Sequence, residues 1–198
     1  LTALKPSSTR DEMYMIKVVL NLVCVFISVV LLNAPSYATT DLTDNAVKYN
    51  KELDGFDYQF DVKTFNFNSQ NQDLKMRYMD IGDKDAAKVI VLLHGKNFAG
   101  YYWEQVAQDL LSKKYRVIVP DQIGFGKSSK PENYQYNFAL LALNTKSLLD
   151  SLGIQKFDLV GHSMGGMLAI TFAVNYNQAV NKLILINPIG LEDYSQYV

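Results

Sequence analysis

Along the chain the spacing of apolar and polar positions changes several times, and each change predicts an element. Residues 60–67 (FDVKTFNF) and 74–81 (LKMRYMDI) alternate, which is the period of a strand with one buried face. The polar run NSQNQD between them predicts an antiparallel hairpin. Residues 89–93 (VIVLL) are apolar without interruption, as in a strand covered on both faces. From about Tyr101 to Lys113 the period lengthens to that of a helix, with Trp103, Val106, Ala107, Leu110 and Leu111 on one side. Residues 115–119 predict a second buried strand, which runs into the Gly-, Ser- and Pro-rich loop PDQIGFGKSSKPENY. A helix over 138–152 follows, closed by Gly153. A strand at 157–160, a helix directly after Ser163 and a strand at 183–186 complete the pattern. The expected fold class is therefore α/β: a mostly parallel, doubly wound sheet with an N-terminal antiparallel hairpin.

The first part of the chain has a different character. Lys17 precedes VVLNLVCVFISVVLL, an apolar run of about 15 residues, and then Asn33, Pro35 and the small-residue pattern ending at Ala38. A spanning helix needs about 20 apolar residues. Residues 15–38 thus read as a signal peptide rather than an anchor, and the expected location is exported, periplasmic or secreted. Membrane contact would come only through this leader if it stayed uncleaved. The chain starts at Leu1, so 1–14 reads as a non-native prefix, 39–55 as a polar linker and 56–198 as the globular part. The one cysteine, Cys24, lies in the leader, which leaves a mature chain held by core packing without disulfides. Composition is that of a globular protein, with 48% hydrophobic residues. A net charge of -1 with scattered basic residues excludes a nucleic-acid footprint.

Candidate chemistry concentrates at Gly161-His162-Ser163-Met164-Gly165, where a strand turns into a helix. Such a bend forces its central residue into strained geometry and leaves no room for side chains two positions away, hence the two glycines. The serine hydroxyl is pushed outward, and the helix behind it offers unpaired N–H groups to a developing anion. This is the strand–Gly-x-Ser-x-Gly–helix nucleophile elbow. Gly126-Lys127-Ser128 invites a phosphate-loop reading, but the glycine required five residues earlier is Asp121, so that reading fails. A serine also needs a general base, and the chain has two histidines. His94 lies in the turn after a buried strand, and His162 adjoins the serine with its ring expected to point away from the hydroxyl. Both read as structural.

The hairpin, the strand ending in His94-Gly95, the loop from Asp121 to Gly126 and the elbow, in this order and spacing, resemble the α/β-hydrolase superfamily. The likeness covers about residues 60–190 and is similar in detail to exported bacterial hydrolases with HGKNF after the third strand and NPIGLED after the sixth. The resemblance implies Ser163 as nucleophile on a small-molecule acyl substrate, and an oxyanion hole from the N–H groups of Met164 and Lys96. His94, Gly95, Gly161, His162 and Gly165 would support the elbow and loop. It implies no metal and no organic cofactor, and oligomeric state is left open. Epoxide- and halide-opening branches carry Asp at the elbow, so serine points to acyl chemistry. In the superfamily the acid and the histidine follow the serine in sequence, which predicts an N-terminal fragment ending after the sixth strand, inactive by itself. Glu192 and Asp193 are candidates for the acid, and Asp121 reads instead as a loop-stabilising residue. The Lys96 ammonium either faces solvent or favours a carboxylate-bearing substrate. The main expectation is a serine hydrolase acting on an ester or related acyl bond through an acyl-enzyme. A peptidase, a carbon–carbon bond hydrolase and a non-catalytic binding module of the same fold are the alternatives.

Overall fold

The computed structural model describes residues 47–192, so the prefix, the leader, the first part of the linker (39–46) and Asp193 lie outside the described residues. Six strands form one sheet: β1 (Val62–Ser69), β2 (Gln72–Ile81), β3 (Lys88–Leu93), β4 (Tyr115–Pro120), β5 (Phe157–His162) and β6 (Val180–Ile186). Their order across the sheet is β1-β2-β4-β3-β5-β6. Strands β3 to β6 run parallel, while β2 is antiparallel to both β1 and β4. Helices α1 (Glu104–Ser112), α2 (Phe138–Ser151) and α3 (Met164–Asn175) make the crossovers, and α1 is entered through a 3-10 turn at Gly100–Trp103. The expected α/β architecture with its antiparallel start is the one observed.

Strand alternation sorts the core onto two faces. Val91 and Leu93 of β3, Ile118 of β4 and Leu159 of β5 pack with Leu148, Leu168 and Phe172 from α2 and α3. Ile90, Leu92, Val117, Val119 and Val160 pack on the other face with Trp103 and Ala107. This is why the inner strands read as unbroken apolar runs: every position meets a helix. β6 is different. Leu183, Ile184 and Ile186 are 39%, 42% and 41% exposed, on a strand with a described partner on one side only.

One join departs from the sequence expectation, and a second carries pairing that the sequence pattern does not show. The hexapeptide expected as a turn is mostly strand, because pairing continues to Ser69 opposite Gln72. Only Gln70 and Asn71 turn, both left-handed at φ 53° and 58°. That mirror-image turn matches the twist of the flanking strands, and Gln70 is not a residue that advertises it. The second join concerns β2, which pairs with β4 only from Tyr78 to Ile81. Further back its edge is met by the loop after β4. Asp121 N–H donates to Arg77 O at 2.8 Å, and Ser129 N–H to Lys75 O at 3.0 Å. Arg77 N–H donates to Ser128 Oγ at 2.8 Å, and Lys75 N–H to Ser129 Oγ at 2.9 Å. Where β2 and β4 do pair, Arg116 grips the buried Asp80 carboxylate through two nitrogens, at 2.9 and 3.2 Å. Among the described residues no helix is long and apolar enough to cross a membrane.

Candidate active site

Ser163 stands between the last residue of β5 and the first of α3, at φ 54° and ψ -117°. A non-glycine residue held there costs on the order of 1–3 kcal/mol, so surrounding contacts must hold it. They do so through the main chain. Ser163 N–H donates to Ile186 O at 3.0 Å, and its carbonyl accepts from Gly166 N–H at 2.9 Å and Ile189 N–H at 3.2 Å. The elbow is thus tied to β6 and the segment after it. The Ser163 side chain is half-buried.

The glycines have separate tasks. A Cβ on Gly161 would collide with the Gly165 carbonyl across the bend, as the sequence implies. A Cβ on Gly165 would instead strike the carbonyls of Leu93 and His94, so this glycine lets α3 settle onto the end of β3. Gly166, which the sequence reading passed over, lies against Pro188, with a Cβ there only 2.6 Å from the proline ring. The Gly-Gly pair was the available signal. Gly95 completes the set, since its Cβ would fall 3.2 Å from His162 Nδ1 and 3.3 Å from Ser163 Cβ.

That close approach brings the loop after β3 against the serine. Its next residues form a tight turn: Phe98 N–H donates to Gly95 O at 3.3 Å, and Asn97 is left-handed at φ 64°. Lys96 sits in this turn with its side chain exposed. Met164 opens α3, where no preceding turn can take up its N–H. Neither the Lys96 nor the Met164 amide donates to another group among the described residues.

The two histidines are both engaged. His94 is fully buried; its Nε2 accepts from Gln122 N–H at 2.9 Å, which leaves Nδ1 to donate to Gly95 O at 2.9 Å. Burial pushes its pKa down, outweighing the opposing pull of the Gly95 carbonyl and Asp121, so the ring stays neutral and pins the loop. His162 turns its ring to Tyr102 and Trp103, with Nδ1 3.1 Å from Tyr102 Oη. The same hydroxyl accepts from Gly95 N–H at 3.2 Å. Tyr102 was not visible as a site residue in the sequence, because its role depends on the 3-10 turn that orients it. Asp121 is 1% exposed and spends its carboxylate on the loop: Oδ1 accepts from Gly100 N–H at 2.5 Å, and Oδ2 from Lys127 N–H and Tyr58 Oη, both at 2.7 Å. Glu192 is exposed, and Asp193 lies outside the described residues. Among the described residues no cluster of His, Cys, Asp and Glu side chains comes together as a metal site.

A strained serine between a parallel strand and a helix, facing a loop with free amides, is the arrangement of a hydrolytic elbow. The chain belongs to the alpha/beta hydrolase fold family, whose model matches residues 88–196. It is 33% identical over 115 residues to a 2-hydroxy-6-oxo-2,4-heptadienoate hydrolase of Pseudomonas putida, covering 57% of this chain and 41% of that one. It is 34% identical over 126 residues to epoxide hydrolase 4 of Mus musculus, covering 63% of this chain and 34% of that one. The chain thus spans well under half the length of these relatives. Among solved structures, a probable hydrolytic enzyme from Pseudomonas aeruginosa matches with 49% identity and a TM-score of 0.73, over 75% of this chain and 48% of that one. The relatives are hydrolases, and this chain carries the hydrolase fold.

Proposed function

We propose that the protein is a serine hydrolase that cleaves an ester or a related acyl bond of a small molecule through an acyl-enzyme. The observation that carries this reading is the Ser163 backbone, held at φ 54° at the head of α3. In the first half-reaction a base takes the hydroxyl proton and Oγ bonds to the acyl carbon. The carbonyl electrons move onto oxygen, where the Met164 and Lys96 amides receive the charge. Collapse expels the leaving group, which takes up a proton, and water then releases the acid by the same route. His94 is committed to the loop after β4 and His162 to Tyr102, so neither is assigned here as the base that takes the hydroxyl proton. We propose further that residues 15–38 direct export, which N-terminal sequencing of the mature protein checks. A carbon–carbon bond hydrolase is the second reading, favoured by the name of the Pseudomonas putida relative.

The test is labelling of the full-length protein with a fluorophosphonate, with Ser163→Ala alongside, followed by panels of acyl esters and of vinylogous diketones. Labelling that is lost in Ser163→Ala, together with ester turnover, supports the proposal. Labelling that survives the substitution overturns it. Diketone turnover without ester turnover selects the second reading, and absence of any labelling selects a binding module.

A further inference from the structure

Resting on Ser163 as nucleophile, we infer that the substrate presents an uncharged aliphatic chain to a pocket beginning at Met164, and that this pocket sets chain-length preference. A cavity of about 370 Å³ opens beside the elbow, walled by Phe125, Tyr136, Phe138, Leu141 and Met164. Two of these walls belong to the site. Met164 directly follows the serine, and the Phe125 ring stands edge-on to buried His94, 5.3 Å between centroids. The cavity therefore starts one residue from the serine, at the head of α3.

Its lining decides the chemistry. None of the side chains lining it is ionisable except the Tyr136 phenol, whose pKa burial pushes up. A carboxylate entering it would meet no cation, only the Asn137 amide and the Tyr136 phenol as donors, a poorer exchange for water than aliphatic groups make. Lys96, the cation the sequence offered for an anionic substrate, is exposed on its turn and lines no part of this cavity. Size sets the rest. A cavity of about 150 Å³ admits a six-carbon ring, so this one has room for a chain on the order of six to ten carbons. Such a chain gains about fourfold in binding per methylene buried, until the pocket is full.

The experiment uses the full-length protein in two arms. In the first, kcat/KM is measured on p-nitrophenyl esters from acetate to dodecanoate and on the mono-ester of a dicarboxylate. Values that climb to an optimum between six and ten carbons, with the carboxylate-bearing ester at least tenfold poorer than its uncharged counterpart, support the inference. A flat series or a preference for the anionic ester overturns it. In the second arm, straight-chain methyl ketones are titrated into Ser163→Ala by calorimetry, which reads the pocket without chemistry. Leu141→Phe, which narrows the pocket, should move the affinity plateau to shorter chains, and Phe138→Ala should move it to longer ones. A plateau unmoved by both variants overturns the assignment of this cavity. Because the second arm does not need the nucleophile, loss of ester turnover with a ketone plateau intact indicts the reading of Ser163 and leaves the pocket standing.

Discussion

Tyr102 shows how much of a site can rest on one hydroxyl outside any motif. Burial pushes its pKa up to about 12, although the hydrogen bond from Gly95 works the other way. The phenol thus remains protonated across ordinary conditions and donates to His162 Nδ1 while accepting from Gly95 N–H. It fastens the loop after β3 to the elbow, and so fixes the distance between two candidate oxyanion amides. Tyr102→Phe keeps the ring packing but removes the fastening and strands the Gly95 amide. The expected outcome in the full-length enzyme is a kcat lower by about tenfold with KM within about twofold, the equivalent of one lost hydrogen bond. Steady-state kinetics on an ester decide it, and an unchanged kcat would show the loop held by other contacts. At this scale the sequence revealed the serine and the glycines around it, since strain and close approach restrict which residues can stand there. It did not reveal Tyr102, because any residue can enter a 3-10 turn and only its orientation gives the hydroxyl a task.

Among the elements, α3 is placed by absence of side chains more than by side-chain contact. Its first turn rests on the end of β3 because Gly165 presents only hydrogen to the carbonyls of Leu93 and His94. Leu93 ends a strand buried on both faces and His94 is fully buried just after it, so neither carbonyl yields. Gly165→Ala should therefore lift the head of α3, destabilise the protein by about 1–3 kcal/mol as overpacking does, and displace the Met164 amide. A melting temperature lowered by roughly 2–10 °C, with fluorophosphonate labelling slowed more than stability alone accounts for, is the expected pair of readouts. A variant that melts and labels like wild type would mean that α3 shifts freely. Element type was legible wherever burial is two-sided or alternation is clean, as in β3, β4 and β5. The edges were not. The Gln70-Asn71 turn carries no glycine, and the loop from Asp121 to Ser129 pairs with β2 through serine hydroxyls, which leave no periodic trace.

On the scale of the molecule, the antiparallel and parallel parts of the sheet meet at β2 and β4, and Asp80 with Arg116 lies across that seam. Burial works to raise the Asp80 carboxyl, but hydrogen bonding and charge from Arg116, helped by Lys63 at 3.4 Å, hold it below the usual carboxylate range. The unfolded chain then binds this proton more readily than the folded one. The pair therefore stabilises fully above an unfolded pKa of about 4, and its contribution falls away as pH drops through the folded value. Urea unfolding at stepped pH between about 5 and 2 should show a stability slope that Asp80→Asn reduces, and an identical slope in the variant would place its origin elsewhere. Arg116→Met at neutral pH should cost about 3 kcal/mol, because it leaves a buried carboxylate with only the longer, partly exposed Lys63 contact.

The loop clasped to β2 carries one consequence further. Asp121 at one end and Ser128 and Ser129 at the other are moored to main-chain atoms, so the stretch between them hangs like a panel in a rigid frame. Phe125 is mounted on that panel. Exchanging this ring for a smaller or larger one would reshape the cavity it walls without cutting any hydrogen bond of the frame that the rest of the sheet depends on.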